Sequence, residues 1–347
     1  KEMVVTHIGL ERGAVIEFKY RLHTKAGFRN HFAGLEYRNA LFPIHKYSFK
    51  VIVPKDKTLY FSFGSQGKIK LDRTIQKGFH VYSHNAVGIP HFSPEPLSRA
   101  GQSYIAFSDT KDWQGTYPSN YNTRNLPNWI KDKKDQILSS TKGTLECIFK
   151  LQELVANDMD YCRLSTALTG NSVRKASTVI DSNYATALEK SYLLSAILSD
   201  AGMKNEIILA SDKPITYTEI ASDRFITHIY IKLPNVRNDV MYLDPVQSQD
   251  GIYPASMKGK HLYNLSRNRV EKLKKNDDCS NHLVINGKLT LTGVTYDGTI
   301  RLALGGSEFN YKSSLKNHKT YLKRALSSRI PVTKISNLKL IRYDSRG

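Results

Sequence analysis

Cysteine is scarce in this chain: Cys147, Cys162 and Cys279 are the only three among 347 residues. An odd number at unrelated spacings excludes a disulfide framework and matches no zinc-site pattern. Cys147 shares an apolar helical face with Leu151 and Leu154, which is the setting of a buried structural thiol. No apolar run approaches the roughly 20 residues that a membrane-spanning helix needs. Acidic residues are also short, 31 against 51 Lys and Arg, for a net charge of +20. The imbalance is concentrated: residues 258–347 hold 19 Lys/Arg and 6 Asp/Glu. A solvated basic face accounts for this, and an acidic polysaccharide or anionic lipid surface is the functional alternative. Nucleic acid is not an expected partner, because there is no zinc knuckle, no ribonucleoprotein motif and no interleaving of aromatic and basic residues. An initiator Met and a leader are missing too, so the chain reads as a mature or trimmed fragment whose missing leader says nothing about secretion. His80, His84 and His91 do not form a metal site, since residues four apart in an extended segment are about 13 Å apart. No metal and no cofactor are expected.

What is present is a strong helix signal from Thr186 to Gly202. Thr186 is a good N-cap and Glu189 stands three residues on, the spacing of a capping box. Leu188, Tyr192, Leu193, Ile197 and Leu198 follow at helical intervals, and Gly202 ends the run. Ala187 is therefore the first residue of a buried helix. A thiol there would meet free backbone N–H groups and the positive end of the helix dipole, which both favour a thiolate. The position suits a nucleophile, but a methyl group cannot be one.

A strand over 206–210 comes next, then a second over 225–233, a turn over 234–239 and a third strand over 240–243. The midpoint of 228 and 244 falls in that turn. A hairpin would thus set His228 and Asp244 roughly abreast, about 5 Å apart at Cβ. A carboxylate beside an imidazole fixes its tautomer and orientation. An ordinary hydrogen-bonded pair supporting the hairpin accounts for the same two residues.

The sequence Asn183-Tyr184-Ala185-Thr186-Ala187-Leu188-Glu189-Lys190, then Leu193-Leu194, Leu198 and Gly202, then Thr227-His228 and Leu243-Asp244-Pro245, resembles the transglutaminase-like superfamily, a branch of the papain-like cysteine hydrolases. The resemblance covers residues 106–258 and includes the lead-in Arg174 to Ile180. It implies a Cys-His-Asp site at Ala187, His228 and Asp244, with Tyr184 and Trp113 as candidates to line the cleft. For Trp113, a domain-junction anchor is the favoured role. The chain departs from the family at the centre, where Ala187 replaces the nucleophile and Ala185 a glycine. Two explanations follow: a lineage that lost its cysteine, or a Cys-to-Ala change that captures an inactive peptidase or transglutaminase. Ala185 and Leu188 favour the first. Cys162 is the one alternative nucleophile. The chain as it stands is not expected to catalyse acyl transfer, and its relic cleft would bind a peptide, protein or glycan.

The flanks are β-rich. Strands are expected over 14–22, 47–53, 59–63 and 79–83, punctuated by glycines in the rhythm of a sandwich. Gly13 to Tyr20, Phe42-Pro43-Ile44 and Pro54 resemble a domain of unknown function that precedes transglutaminase-like cores in bacterial envelope proteins, which implies a periplasmic or extracellular location. Helices are expected over 129–138 and 144–159. Strands over 282–295, 298–305 and 335–342, with Asp297-Gly298 as a hairpin turn and a basic helix over 313–326, resemble the small β-domain that follows such cores. The expected fold is thus α+β: a transglutaminase-like core over 106–258 flanked by β-rich domains over 1–105, itself truncated, and 259–347.

Overall fold

The computed structural model describes residues 31–38, 40–64, 69–91, 103–117, 126–212, 219–249, 252–273, 282–293 and 295–305, with isolated positions between 11 and 23. The expected strand over 14–22, the helix over 313–326 and the strand over 335–342 lie outside these residues.

Six strands open the chain: β1 (Ala33–Tyr37), β2 (Ile44–Pro54), β3 (Tyr60–Gly64), β4 (Asp72–Gln76), β5 (Phe79–Ile89) and β6 (Tyr104–Ser108). They form two antiparallel sheets, ordered β1-β6-β3 and β2-β5-β4. Alternation along β2 sends Phe49, Val51 and Val53 inward, where they join Leu59, Tyr82, Ile105 and Phe107 in one buried cluster between the sheets. The central strand β6 is buried at all five residues. Ile105 and Phe107 face the cluster between the sheets, while Tyr104 and Ala106 face the helical core. A strand buried on both faces reads as a continuous apolar run rather than an alternation. The expected domain boundary at 105/106 therefore falls inside a central strand. Glycine is required opposite two of its rings: a Cβ on Gly34 would lie 2.3 Å from the Phe107 ring, and one on Gly64 1.8 Å from the Tyr104 ring.

The middle of the chain carries α1 (Trp113–Thr116), α2 (Asn128–Ser140), α3 (Thr144–Ala156), β7 (Asp160–Tyr161), α4 (Thr166–Thr169), α5 (Ala176–Asp181), β8 (Tyr184–Ala185), α6 (Ala187–Asp200), β9 (Glu206–Ser211), β10 (His228–Val236), β11 (Asp239–Leu243), β12 (His261–Asn264) and β13 (Arg269–Glu271). A five-stranded antiparallel sheet runs in the order β11-β10-β9-β12-β13. One face, with Leu209, Ile229, Ile231 and Leu243, shares its core with Leu193, Leu194 and Ile197 of α6 and with α3. The other face, with Ile208, Tyr230 and Tyr242, is covered by Tyr253 and Met257.

Helix α6 begins on the capping box that its sequence announces. It ends in a Schellman motif, with the Met203 N–H donating to the Leu198 carbonyl at 2.8 Å and Gly202 at φ +75°. The β10–β11 turn is tighter than expected: Arg237 and Asn238 form it, both at positive φ, as a two-residue hairpin turn requires. Pro234 sits inside β10, at a bulge between Leu233 and Val236 where no ladder donor is needed. The chain then forms a long hairpin of β14 (His282–Thr292) and β15 (Thr295–Gly305). It reverses at Gly293 (φ +64°), and Asp297 and Gly298 pair within the ladder instead of turning. No helix among the described residues is long and apolar enough to cross a membrane.

Candidate functional site

The start of α6 is held by a network that begins with Glu189. Its Oε2 accepts from the Thr186 N–H at 2.9 Å, and the Thr186 hydroxyl accepts from the Glu189 N–H at 3.3 Å. Arg174 then grips the same carboxylate with two donors, Nε at 2.6 Å and Nη2 at 3.0 Å. The guanidinium also donates to the Tyr184 carbonyl at 2.8 Å and covers the Tyr184 ring at 4.5 Å. Burial would raise the Glu189 carboxyl, but the bonds from Arg174 and Thr186 outweigh it and hold the group below its usual range. The segment that delivers Ala187 is thereby fixed, and Tyr184 stays on the surface at 47% exposure.

One residue further in, Lys190 is fully buried. Its ammonium donates to the carbonyls of Val155, Ala156 and Met159 at 2.9, 3.1 and 2.7 Å, closing the C-terminal end of α3. Burial pushes its pKa down to about 8, against the pull of Asp160 and Asp244.

Short reversals bring the remaining candidates to the same end of the core. Five residues separate α6 from β9, so β9 runs back toward the helix start, and His228 opens β10 opposite Ala210. The ring is half-buried, its Nδ1 lies 3.2 Å from the Thr227 hydroxyl, and it stacks on Tyr230 at 5.9 Å between centroids. Burial, then the nearby Lys260, lowers its pKa against the pull of Asp212, so it is neutral at pH 7.

Asp244 follows β11 directly. Its Oδ1 accepts from the Val246 N–H at 2.9 Å. Its Oδ2 accepts from the Ser256 hydroxyl at 3.1 Å, which in turn accepts from the Tyr230 hydroxyl at 3.0 Å. Burial raises its pKa, partly offset by these bonds. The backbone on either side is clamped by two buried glutamines. Gln152 of α3 donates to the carbonyls of Asp244 and Gln247 at 2.8 and 3.0 Å, and Gln249 accepts from the Asp244 N–H at 2.9 Å.

His228 and Asp244 are not abreast. Ile231 pairs with Leu243, so the ladder continued one step sets Asp244 against Tyr230. The turn lies between Arg237 and Asn238, later than the expected midpoint at 236, and the one-residue bulge at Pro234 takes back part of that offset, so the register ends two residues from the symmetrical hairpin. Among the described residues no hydrogen bond joins His228 to Asp244. The Tyr230 ring under the imidazole and the Ser256 hydroxyl stand between them. Trp113 is wholly buried, 5.6 Å from the Tyr263 ring, so it is an anchor and not a cleft wall. Cys147 is buried and Cys162 half-buried, both as free thiols. Cys162 lies close to the helix start, its N–H donating to the Ala185 carbonyl at 2.9 Å. Among the described residues no group of His, Cys, Asp or Glu is placed to hold a metal.

Arg174, Gln152, Gln249 and Ser256 all shape this region and were not singled out from the sequence. Only Arg174 carries a local signal, as it belongs to the lead-in segment of the family resemblance.

Residues 1–90 match a family described as a domain of unknown function with a solved structure, DUF3857. No curated protein matches the chain. Among solved structures, the chain superposes on a Parabacteroides distasonis protein provisionally named a protease, with a TM-score of 0.62 and 19% identity over 73% of this chain and 49% of that one. This chain thus spans about half the length of that protein, and at this identity the likeness concerns the fold. A Cytophaga hutchinsonii protein provisionally named a cysteine protease aligns at 9% identity over 80% of this chain and 92% of its own, but its TM-score of 0.26 carries no argument.

Proposed function

We propose that this chain is a transglutaminase-like protein of the cell envelope that has lost its catalytic cysteine and uses the relic cleft to bind a peptide, protein or glycan. In this reading a papain-like core lies between two β-rich units, the first of them the DUF3857 region. The observation that carries it is the methyl of Ala187 at the first turn of α6, at the same end of the core as His228 and Asp244. The fold shared with a protein provisionally named a protease supports the lineage. With no thiol at 187, the neutral imidazole of His228 has no nucleophile to activate there, and thioester chemistry cannot begin. The basic quarter over 258–347 is read as solvated. Salt-dependent retention on heparin or anionic vesicles would instead give it an anionic partner.

A second reading has one observation in its favour. The clamps on both sides of the site, Arg174 on Glu189 and Gln152 on the Asp244 loop, are complete, as they would be in a working peptidase or transglutaminase changed only at 187. The test is Ala187→Cys, assayed on peptide and glutamine substrates, together with the codon that the gene carries at 187. Turnover by the variant and a natural cysteine codon overturn the noncatalytic reading. A natural alanine codon and an inert variant support it.

A further inference from the structure

Two carboxylates share a sheet face with the His228 imidazole, and both are engaged elsewhere. Leu262, Ala210 and His228 stand in one row across β12, β9 and β10. Two residues along the strands in one direction, the ladder of β10 and β11 continues to Tyr230 and Asp244. In the other direction it continues past His261 and Ser211 to Lys260 and Asp212. Alternation puts all of these on the face of His228. Asp244 gives its Oδ1 to the Val246 N–H at 2.9 Å and its Oδ2 to the Ser256 hydroxyl at 3.1 Å. Asp212 is ion-paired with Lys260. Burial, then Lys260, lowers the imidazole pKa against the pull of Asp212, so the ring is neutral and has one hydrogen to place on either of two nitrogens.

The group in direct reach of the ring is the Thr227 hydroxyl. Its oxygen lies 3.2 Å from His228 Nδ1 and 3.4 Å from the Ala210 carbonyl oxygen. A hydroxyl has one hydrogen and two lone pairs, whereas a carbonyl only accepts. The Thr227 hydrogen directed at Ala210 therefore leaves a lone pair facing Nδ1. The Ala210 carbonyl has capacity for it: it takes the Thr227 N–H at 2.9 Å and has a second lone pair for the hydroxyl. One carbonyl thus receives both the N–H and the hydroxyl of Thr227, which fixes that side chain where β10 begins. Tyr230 holds the imidazole from another side, stacked at 5.9 Å with 13° between the ring planes. Nε2 has no hydrogen-bond partner among the described residues.

We infer that Thr227 is the positioning residue of His228: it fixes the neutral imidazole with its hydrogen on Nδ1, the task that the family resemblance gives to Asp244, and leaves Nε2 as the acceptor that the site offers a ligand. This rests on the reading of His228 as part of the relic cleft. The hydrogen on a neutral imidazole is set by the bond that the other partners make with each nitrogen. A hydroxyl that spends its hydrogen on a carbonyl acts as a pure acceptor, as a carboxylate would, but carries no charge. It orients the ring without raising its pKa, in keeping with a ring that stays neutral. A ligand group that meets Nε2 must then bring an N–H or O–H of its own. Asp244, relieved of the ring, serves the Ser256 and Tyr230 hydroxyls.

The tautomer can be read directly from long-range proton–nitrogen correlations of the full chain labelled with nitrogen-15 at histidine, in mildly alkaline buffer where imidazoles are neutral. Eleven histidines share the spectrum, and the pattern missing from His228→Gln belongs to residue 228. The natural chain should show the hydrogen on Nδ1. Thr227→Val keeps the side-chain shape and removes the hydroxyl, and it should shift the ratio of the two tautomers toward Nε2–H by about three- to tenfold, the worth of one net hydrogen bond. Thr227→Ser keeps the hydroxyl and should keep the natural ratio. Asp244→Asn should also leave the ratio unchanged. An Nε2–H ring in the natural chain overturns the inference. So does a ratio that Thr227→Val leaves in place, one that Thr227→Ser fails to restore, or one that Asp244→Asn moves as far as Thr227→Val does. If Thr227→Val does not fold by circular dichroism, the tautomer of the natural chain and the Asp244→Asn comparison decide it. The two readings fail separately. Turnover by Ala187→Cys would sink the noncatalytic reading and leave the tautomer as it is, whereas an Nε2–H ring would sink the role of Thr227 and leave the alanine at 187 as it is.

Discussion

Arg174 and Glu189 carry the local stability of the candidate site, and their pairing sets a sign on its pH dependence. The Glu189 side chain is almost fully buried, and Arg174 is its main partner. Removing one member of such a pair leaves the other uncompensated, so Arg174→Ala should cost about 3 kcal/mol in urea-induced unfolding. The folded pKa of Glu189 lies below its ordinary value of 4.5. Its contribution is therefore fully present above pH 4.5 and is lost as pH falls through the folded value. The stability gap between the natural chain and Glu189→Gln should narrow in acid, and a gap that is flat from pH 7 to 3 would contradict the assignment. Lys190 has the same sign in a higher window. Its folded pKa of about 8 lies below the ordinary 10.5, so the unfolded chain binds more protons between those values. From this group stability should rise between pH 8 and 10.5, by up to about 1.4 kcal/mol per pH unit. Lys190→Met should remove that slope in a comparison of unfolding free energies across the window. The Thr186–Glu189 box is legible because it is local, three residues within one turn. The Arg174 clamp spans 15 residues and the Gln152 clamp 92, and no local pattern reports such distant partners.

At the level of elements, α6 and the three strands after it follow from periodicity, whereas their register does not. A centred turn over 234–239 makes His228 and Asp244 opposite. The bulge at Pro234 and a turn of only Arg237 and Asn238 move Asp244 to the level of Tyr230. A bulge adds one residue on one strand, which here sets Leu233 and Val236, three residues apart, on the same core, and Leu-Pro-Asn-Val reads as readily as a strand end followed by a turn. The same holds for the β14–β15 hairpin, where Gly293 and not Asp297-Gly298 makes the reversal. Strand pairing over eleven residues on each side outweighs a favourable turn dipeptide. Asn238 at φ +68° offers a direct check. Asn238→Val should destabilise by about 1–2 kcal/mol, because a β-branched residue resists the left-handed region, while Asn238→Gly should be nearly neutral. Equal midpoints for the two variants in urea would show that the turn is not held in this conformation.

For the whole molecule, β6 makes the first sandwich and the helical core a single unfolding unit. Its residues alternate between the two cores, and all are buried. Ile105→Ala should cost about 2–5 kcal/mol. It should lower the melting transition of both parts together, read by near- and far-ultraviolet circular dichroism on the same sample. A fragment starting at residue 106 loses Tyr104 and Ile105 and should melt without cooperativity. Two separate transitions in the intact chain would show that β6 does not couple them.

The clamps around position 187 bear on how such a protein changes over generations. None of the bonds that fix the helix start involves the side chain at 187, so the fold places little demand on which small residue stands there. In the genetic code, alanine and cysteine codons differ at both of their first two bases. A lineage crosses between them one base at a time through serine or glycine, each costing about 1 kcal/mol or less at a single helical position. The architecture thus leaves a folded intermediate on the route in each direction. One of those intermediates would place a hydroxyl at the first turn of α6.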